Sequence, residues 1–174
     1  MTHALVVDVD GVISPINGHT AWGDDVIAGD VFGPVYTSPA MCAQLDELAR
    51  LPDLTCWWLT SWSQQMRDAT SPFPGRDWPA IEDGTADEPP SRWWKLQALR
   101  HWLAAHPQVT SLARCEDHLS PEGAAVVRRW LALRGVDSLL IPPDTQVGLT
   151  PRHLIELQAW AGLSPGSRTP RRRL

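Results

Sequence analysis

The sequence predicts an α/β fold built on a mostly parallel central sheet, and three observations carry that expectation. Short apolar runs alternate with segments of helical periodicity along almost the whole chain. The first run, residues 4–9, is nearly continuous in apolar residues, as expected of a strand buried on both faces in a parallel sheet. Acidic or hydroxyl residues stand where three of the runs end: Asp8 and Asp10 after the first, Thr60 after the second, Glu116 and Asp117 after the third. In open parallel sheets, ligands bind beyond the carboxyl ends of the strands.

The elements follow in order. Residues 11–37 are rich in Gly, Pro, Asn and Asp, and VFGPVY within them reads as a short hairpin. Ser38-Pro39 has the chemistry of a helix start, a hydroxyl cap before a proline at the first helical position. Met41, Leu45 and Leu48 follow at helical spacing until Pro52 closes the element. LTCWWL, residues 54–59, is the second strand. A short helix is expected over 62–70, then a Pro-rich loop to residue 90 in which PAI forms a short strand. Ser91 opens a helix carrying Leu96, Leu99 and Leu103 on one face. VTSLARC, residues 109–115, is the third clear strand. Ser120-Pro121 starts a helix with Ala124, Val127 and Leu131 inward and Gly135 past its end. SLLIPP, residues 138–143, is the fourth strand, and Thr150-Pro151 opens a last helix through Leu154, Leu157 and Ala161.

At 174 residues the chain is expected to form one domain over 1–163, with 164–174 a basic, disordered tail. A hydrophobic content of 43% with 20% charged residues is that of a soluble globular protein. No apolar run is long enough to span a bilayer, and the N-terminus lacks the pattern of an export leader. Cys42, Cys56 and Cys115 are odd in number and lack zinc-like spacing, which suits a reducing, cytoplasmic location. The net charge is −5, but the last seven residues hold four arginines, so the rest stands at −9. Such a body does not favour broad electrostatic contact with nucleic acid and leaves room for a local basic groove. Most of the ten tryptophans are expected to be packing residues.

A carboxylate at the end of a buried strand costs folding free energy unless something compensates it, and a metal ion is the expected compensation. Phosphoryl transfer gives each residue of the set a task. Asp8 suits attack on phosphorus as an aspartyl nucleophile, and Asp10 suits proton transfer to the leaving oxygen and from water. Gly11 permits a sharp turn with no side chain in the way. Thr60 offers a hydroxyl and a backbone N–H to phosphate oxygens, and Lys95 offers a cation. Asp8, Glu116 and Asp117 are hard oxygen ligands of the kind Mg²⁺ prefers.

Taken together, DVDGV at residues 8–12, Thr60 at a strand end, Lys95 near a helix start and the ED pair at 116–117 resemble the four motifs of the haloacid dehalogenase (HAD) superfamily of phosphohydrolases. The resemblance covers residues 4 to 142; WLTSW and GLTPRHLIELQAW are similar to segments of a small, mostly bacterial group within it. It implies a three-layer Rossmann-like fold and Mg²⁺-dependent phosphomonoester hydrolysis. Asp8 is then the nucleophile, Asp10 the acid/base and a metal ligand through its backbone carbonyl, and Thr60 and Lys95 stabilise the phosphate. Gly11, Ser61 and Trp62 border the substrate, and Glu116 with Asp117 completes the metal site. The superfamily's fourth motif usually begins with aspartate, so either Glu116 binds from a shifted position or Asp117 is the principal ligand. The 49 residues between Asp10 and Thr60, and the 34 between Thr60 and Lys95, are too few for a large cap domain. An open site suits larger phosphorylated substrates, or a lid from another subunit; the number of subunits is not legible.

Plainer readings stand beside these. Asp-x-Asp-Gly alone can be a turn, Thr60 a strand-end hydroxyl, Lys95 a solvated helix residue, and Glu116-Asp117 solvated acids before the Ser120 cap. Cys115, Asp117 and His118 make a poor transition-metal cluster, because adjacent residues on an extended chain point in opposite directions. For Trp62 packing outweighs stacking on a substrate, and Trp22 is expected in a loop over the site. Glu82, Asp83, Asp87 and Glu88 read as a solvated surface. Two rivals to the phosphatase remain: a catalytically silent binding protein of the same fold, and a phosphatase that processes nucleic-acid ends, suggested by the open site and the arginine tail.

Overall fold

The structure, a computed structural model, describes residues 2–16, 18–31, 33–82 and 94–162. The expected Ser91 helix start, the acidic residues Asp83, Asp87 and Glu88, and the arginine tail lie outside the described residues. The chain forms β1 (Thr2–Val7), β2 (Val26–Asp30), β3 (Pro34–Thr37), α1 (Pro39–Leu48), β4 (Leu54–Trp58) and α2 (Gln64–Asp68). Then come α3 (Trp94–Ala105), β5 (Val109–Cys115), α4 (Pro121–Leu133), β6 (Asp137–Ile141) and α5 (Pro151–Trp160).

The four long apolar runs build one parallel sheet in the order β4-β1-β5-β6, and β2 and β3 form a separate antiparallel pair. Alternation along β1 separates two cores. Leu5, Val7 and Val9 pack with Met41, Leu45 and Leu48 of α1 and with Leu154 and Leu157 of α5. Ala4 and Val6 face Ala98, Leu99 and Leu103 of α3 and Ala124, Val127 and Leu131 of α4. The result is the three-layer α/β arrangement predicted, with no large cap among the described residues. The chain leaves β1 toward β4, then crosses over β1 to β5, so strand order reverses around β1. That reversal opens a crevice at the carboxyl end of the sheet.

Differences from the expected bounds have local causes. β1 stops at Val7 because the chain then turns: the N–H groups of Val12, Ile13 and Ser14 all reach the Val9 carbonyl. β6 ends before Pro142, which has no N–H for the ladder. The expected hairpin is present, but its arms reach outward to Val26 and Thr37, with Asp30 paired to Pro34 at the inner end. PAI contributes a single bridge, Ala80 to Trp58, rather than a strand. The helix after β4 is shorter than expected and is capped by Ser63.

Hydroxyl caps start four of the helices, and Ser38 ties the most structure together. Its Oγ accepts the Met41 N–H at 3.0 Å and donates to Asp24, whose other oxygen accepts the Ala40 N–H at 2.9 Å. One fully buried hydroxyl thus holds both the start of α1 and the loop before β2. Ser38→Ala is expected to cost about 1–2 kcal/mol, read from the urea midpoint at unchanged slope. The described tryptophans pack in or against the two cores. Trp58 is wholly buried against Phe73 and Trp78 and donates to the Gly75 carbonyl at 3.1 Å. Trp22 donates to the Leu149 carbonyl at 2.8 Å, so its ring is committed to the core. All three cysteines are buried and unpaired. Among the described residues no helix is long and apolar enough to cross a membrane.

Candidate active site

The register of the sheet gathers the polar strand ends. Val7 pairs with Trp58 on one side and Cys115 on the other, so the residues after all three emerge at one edge. Asp8 is held there firmly: its N–H donates to the Cys115 carbonyl at 3.1 Å, and its Oδ1 accepts the Val9 N–H at 2.8 Å. Its Oδ2 accepts from Lys95 Nζ, which reaches across from the first turn of α3. The same ammonium donates to both oxygens of Glu116, at 3.1 and 3.0 Å, and Arg114 Nη2 donates to Glu116 Oε2 at 3.1 Å. Asp8, Arg114 and Glu116 are all buried.

The two acids after β5 part company. Arg114 and Glu116 are two residues apart and share one face of the strand, toward α3 and α4. Asp117 turns the other way: its Oδ2 accepts the Thr145 hydroxyl at 2.9 Å, and its Oδ1 meets His118 Nδ1 at 2.8 Å. It lies against the turn that follows Asp10. Gly11 has φ +67°, and a Cβ there would stand 2.3 Å from Asp117 Oδ2. That glycine is required twice, by its backbone and by the carboxylate beside it.

Asp10 is exposed at the rim, and both its oxygens accept from Trp62 Nε1, at 3.1 and 3.0 Å. Trp62 is buried, stacks on Phe73 at 6.0 Å between centroids, and donates its backbone N–H to Thr60 Oγ1 at 3.2 Å. Thr60, Trp62 and Asp10 therefore form one connected chain. Ser61 is exposed, and His118 sits at the rim.

The electrostatics are those of a site short of positive charge. Asp8, Asp10, Glu116 and Asp117 bring four carboxylates to the edge against Lys95 and Arg114. Burial, reinforced by Glu116, pushes the Asp8 carboxyl up from 3.8 to about 6 even with Lys95 opposing. Burial alone would lower Lys95, but Asp8 and Glu116 outweigh it and hold its proton more tightly than usual. Ligand atoms of Glu116, Asp117 and His118 lie within 4.8 Å of one another, close enough to share a cation. The hard oxygen donors of the wider set, with their uncompensated charge, fit Mg²⁺.

The sequence-predicted site residues stand just past the ends of β1, β4 and β5 or, for Lys95, on the first turn of α3; Ser61 is the one exposed between Thr60 and Trp62. Sequence reasoning missed Arg114 and Thr145. The signal for Arg114 was present, a cation inside a buried strand at the two-residue period from Glu116. Thr145 lies in a loop, where no periodicity marks it.

The family model described as the HAD domain in Swiss Army Knife RNA repair proteins matches residues 4–154, which include all of these groups. No curated protein and no solved structure gives a significant match.

Proposed function

The chain belongs to the family of HAD domains found in Swiss Army Knife RNA repair proteins, and on that premise we propose that it is a Mg²⁺-dependent phosphomonoester hydrolase that removes a terminal phosphate from RNA through an aspartyl-phosphate on Asp8. The observation that carries the reading is the buried Asp8 carboxylate, fixed at the end of the central strand with Lys95 on one oxygen. The family description and the lack of a large cap support an RNA end as substrate.

Asp8 attacks phosphorus, and the Asp8 O–P bond forms as the ester O–P bond breaks. Asp10 gives its proton to the leaving oxygen. The Asp10 carboxylate then takes a proton from water, whose oxygen attacks phosphorus, breaks the acyl phosphate and leaves Asp8 as a free carboxylate. Lys95 balances charge on the nucleophile and the phosphoryl oxygens, and Thr60 donates to the latter. Trp62 aims Asp10 by binding both its oxygens. Mg²⁺, when bound, supplies positive charge beside the phosphoryl group. Asp8, the Asp10 carbonyl and Asp117 are the residues to hold it, because Glu116 is engaged by Lys95 and Arg114. On this reading Glu116 fixes Lys95, and Asp117 is the principal carboxylate of the metal site.

The test is phosphate release by the purified protein, with Mg²⁺ or with chelator, from an aryl phosphate and from RNA oligonucleotides phosphorylated at either end. Mg²⁺-dependent release from RNA is expected. No release from any of them, with no Mg²⁺-dependent binding of beryllofluoride, returns the protein to a silent binder. Trp62→Phe keeps the stacking ring and removes the N–H donor to Asp10. A fall in kcat of about tenfold is expected, equivalent to one charge-assisted hydrogen bond, with KM little changed.

A further inference from the structure

The outer layer formed by α3 and α4 differs in charge from the rest of the chain. With Arg134, which follows α4, these helices carry Lys95, Arg100, Arg128, Arg129 and Arg134 against one acid, Glu122, in a protein of net charge −5. Arg100, Arg128, Arg129 and Arg134 are exposed and enter no salt bridge among the described residues. Two of them are oriented: the guanidinium carbons of Arg100 and Arg134 lie 5.8 and 5.9 Å from the centroid of the Trp130 ring. Stacking on an indole steadies a guanidinium and leaves its N–H edge for phosphate oxygens.

This triad bridges the groove between the two helices, Arg100 from α3 and Trp130 from α4. A cavity of about 450 Å³ opens in the same groove beside the candidate active site, lined by Trp94, Lys95, Leu96, Arg114 and Gly123 among others. Leu96 and Arg100 are four residues apart, and Gly123 and Trp130 seven, so cavity and triad lie along one line of each helix. The Lys95 that lines the cavity is the one that holds Asp8. Arg114 is 5% exposed and its Nε has no partner among the described residues, a buried donor on the cavity wall. From Lys95 to Arg100 is about 7–8 Å along the axis, comparable to one step of a nucleic-acid backbone.

We propose that the groove between α3 and α4 binds single-stranded RNA leading away from the active site, with the terminal nucleoside in the cavity and the following phosphates on Arg100 and Arg134. Charge complementarity selects the occupant: a polyanion matches a basic stripe on an acidic protein, and a cavity that sets Trp94 and aliphatic side chains beside polar ones suits a nucleoside. The placement of the terminal phosphate at Asp8 rests on the phosphatase reading; the groove itself does not.

The test uses the full chain carrying Asp8→Asn, so that no turnover occurs, and a short fluorescent single-stranded RNA with a terminal phosphate. Binding is followed by anisotropy over a salt series. The pair Arg100→Gln and Arg134→Gln is expected to weaken binding at least tenfold and to lower the salt slope by about 1.4, roughly 0.7 for each lost phosphate contact. The pair Arg50→Gln and Arg76→Gln makes the same charge change away from the groove and is expected to leave affinity within about twofold of the parent. Gly123→Leu, which fills the cavity, is expected to weaken RNA binding with the salt slope unchanged. Equal losses from the two arginine pairs, or no RNA binding by the parent, overturn the proposal and leave the stripe to an acidic protein partner. The two readings fail separately. RNA binding through the groove in a protein with no phosphatase activity keeps the groove alone. Asp8-dependent hydrolysis with no difference between the arginine pairs keeps the phosphatase alone.

Discussion

Asp8→Asn is expected to abolish phosphate release, by a factor on the order of 10⁴ or more, and at the same time to stabilise the metal-free protein. The loss of activity follows from chemistry, since an amide oxygen is too weak a nucleophile to form the acyl phosphate. The gain in stability follows from proton linkage. The folded protein holds the Asp8 proton with a pKa of about 6, against 3.8 for the ordinary carboxyl. Between those values the folded state binds more protons than the unfolded chain, so this group's contribution to stability falls as pH rises and the penalty is complete above pH 6. A shift of that size corresponds to about 2–3 kcal/mol at neutral pH. A neutral amide of the same shape removes the penalty, and the thermal midpoint without metal should rise by roughly 4–12 °C. The difference should shrink as pH falls below 6 and vanish below 3.8, where the carboxyl is protonated in both the folded and the unfolded chain. With Mg²⁺ the order narrows or inverts, because only the parent offers the carboxylate ligand. Lower stability of the metal-free variant at pH 7 would contradict this account of the site.

Gly11→Ala is expected to be the most damaging single methyl group at the candidate site. The left-handed backbone at φ +67° costs a non-glycine residue about 1–2 kcal/mol. The new Cβ would also overlap Asp117, at 2.3 Å from Oδ2 and 2.6 Å from Cγ. Asp117 cannot yield without leaving the Thr145 hydroxyl, so the carboxylate is displaced or the turn carrying Asp10 opens. Either outcome misplaces a reacting or metal-holding group by an ångström or more, a change that can lower kcat about 10²-fold. The expected signature is a fall of that order together with a weaker apparent affinity for Mg²⁺ in a metal titration of activity. If kcat falls and the Mg²⁺ midpoint stays where it was, Asp117 is not the principal ligand.

The fold was legible because its signals are local and strong. Consecutive apolar residues in β1 and β4, and Ser-Pro or Thr-Pro at the starts of α1, α4 and α5, each mark an element without reference to any other. The hairpin arms were less so, since VIAGD is half exposed and lacks alternation, and a short edge-like strand depends on its partner more than on its own residues. In the site, residues at strand ends could be placed because parallel strands present their carboxyl ends at one edge. The division between Glu116 and Asp117 could be posed from the sequence and not decided. It depends on which way each side chain leaves the strand end, and that is fixed by Lys95, Arg114 and Thr145 from three other segments. The basic groove was hidden for a related reason. Net charge averages over the surface, whereas Arg100 and Trp130 meet only once α3 and α4 lie side by side.

The strand order has a consequence for how the molecule comes into being. β1 is made first and ends in the middle of the sheet, with His3 paired to Leu54 on one flank and Ala4 to Leu112 on the other. During synthesis its first edge stays open until β4 has emerged, and its second until β5 has, some seconds later at about 5–20 residues per second. For that interval the most apolar strand of the chain offers an unpaired edge to any neighbour, the situation in which strands aggregate. The candidate site is assembled late for the same reason. Asp8 leaves the ribosome 87 residues before Lys95 and 108 before Glu116, so a nascent chain carries this carboxylate long before it has the partners that hold it in place.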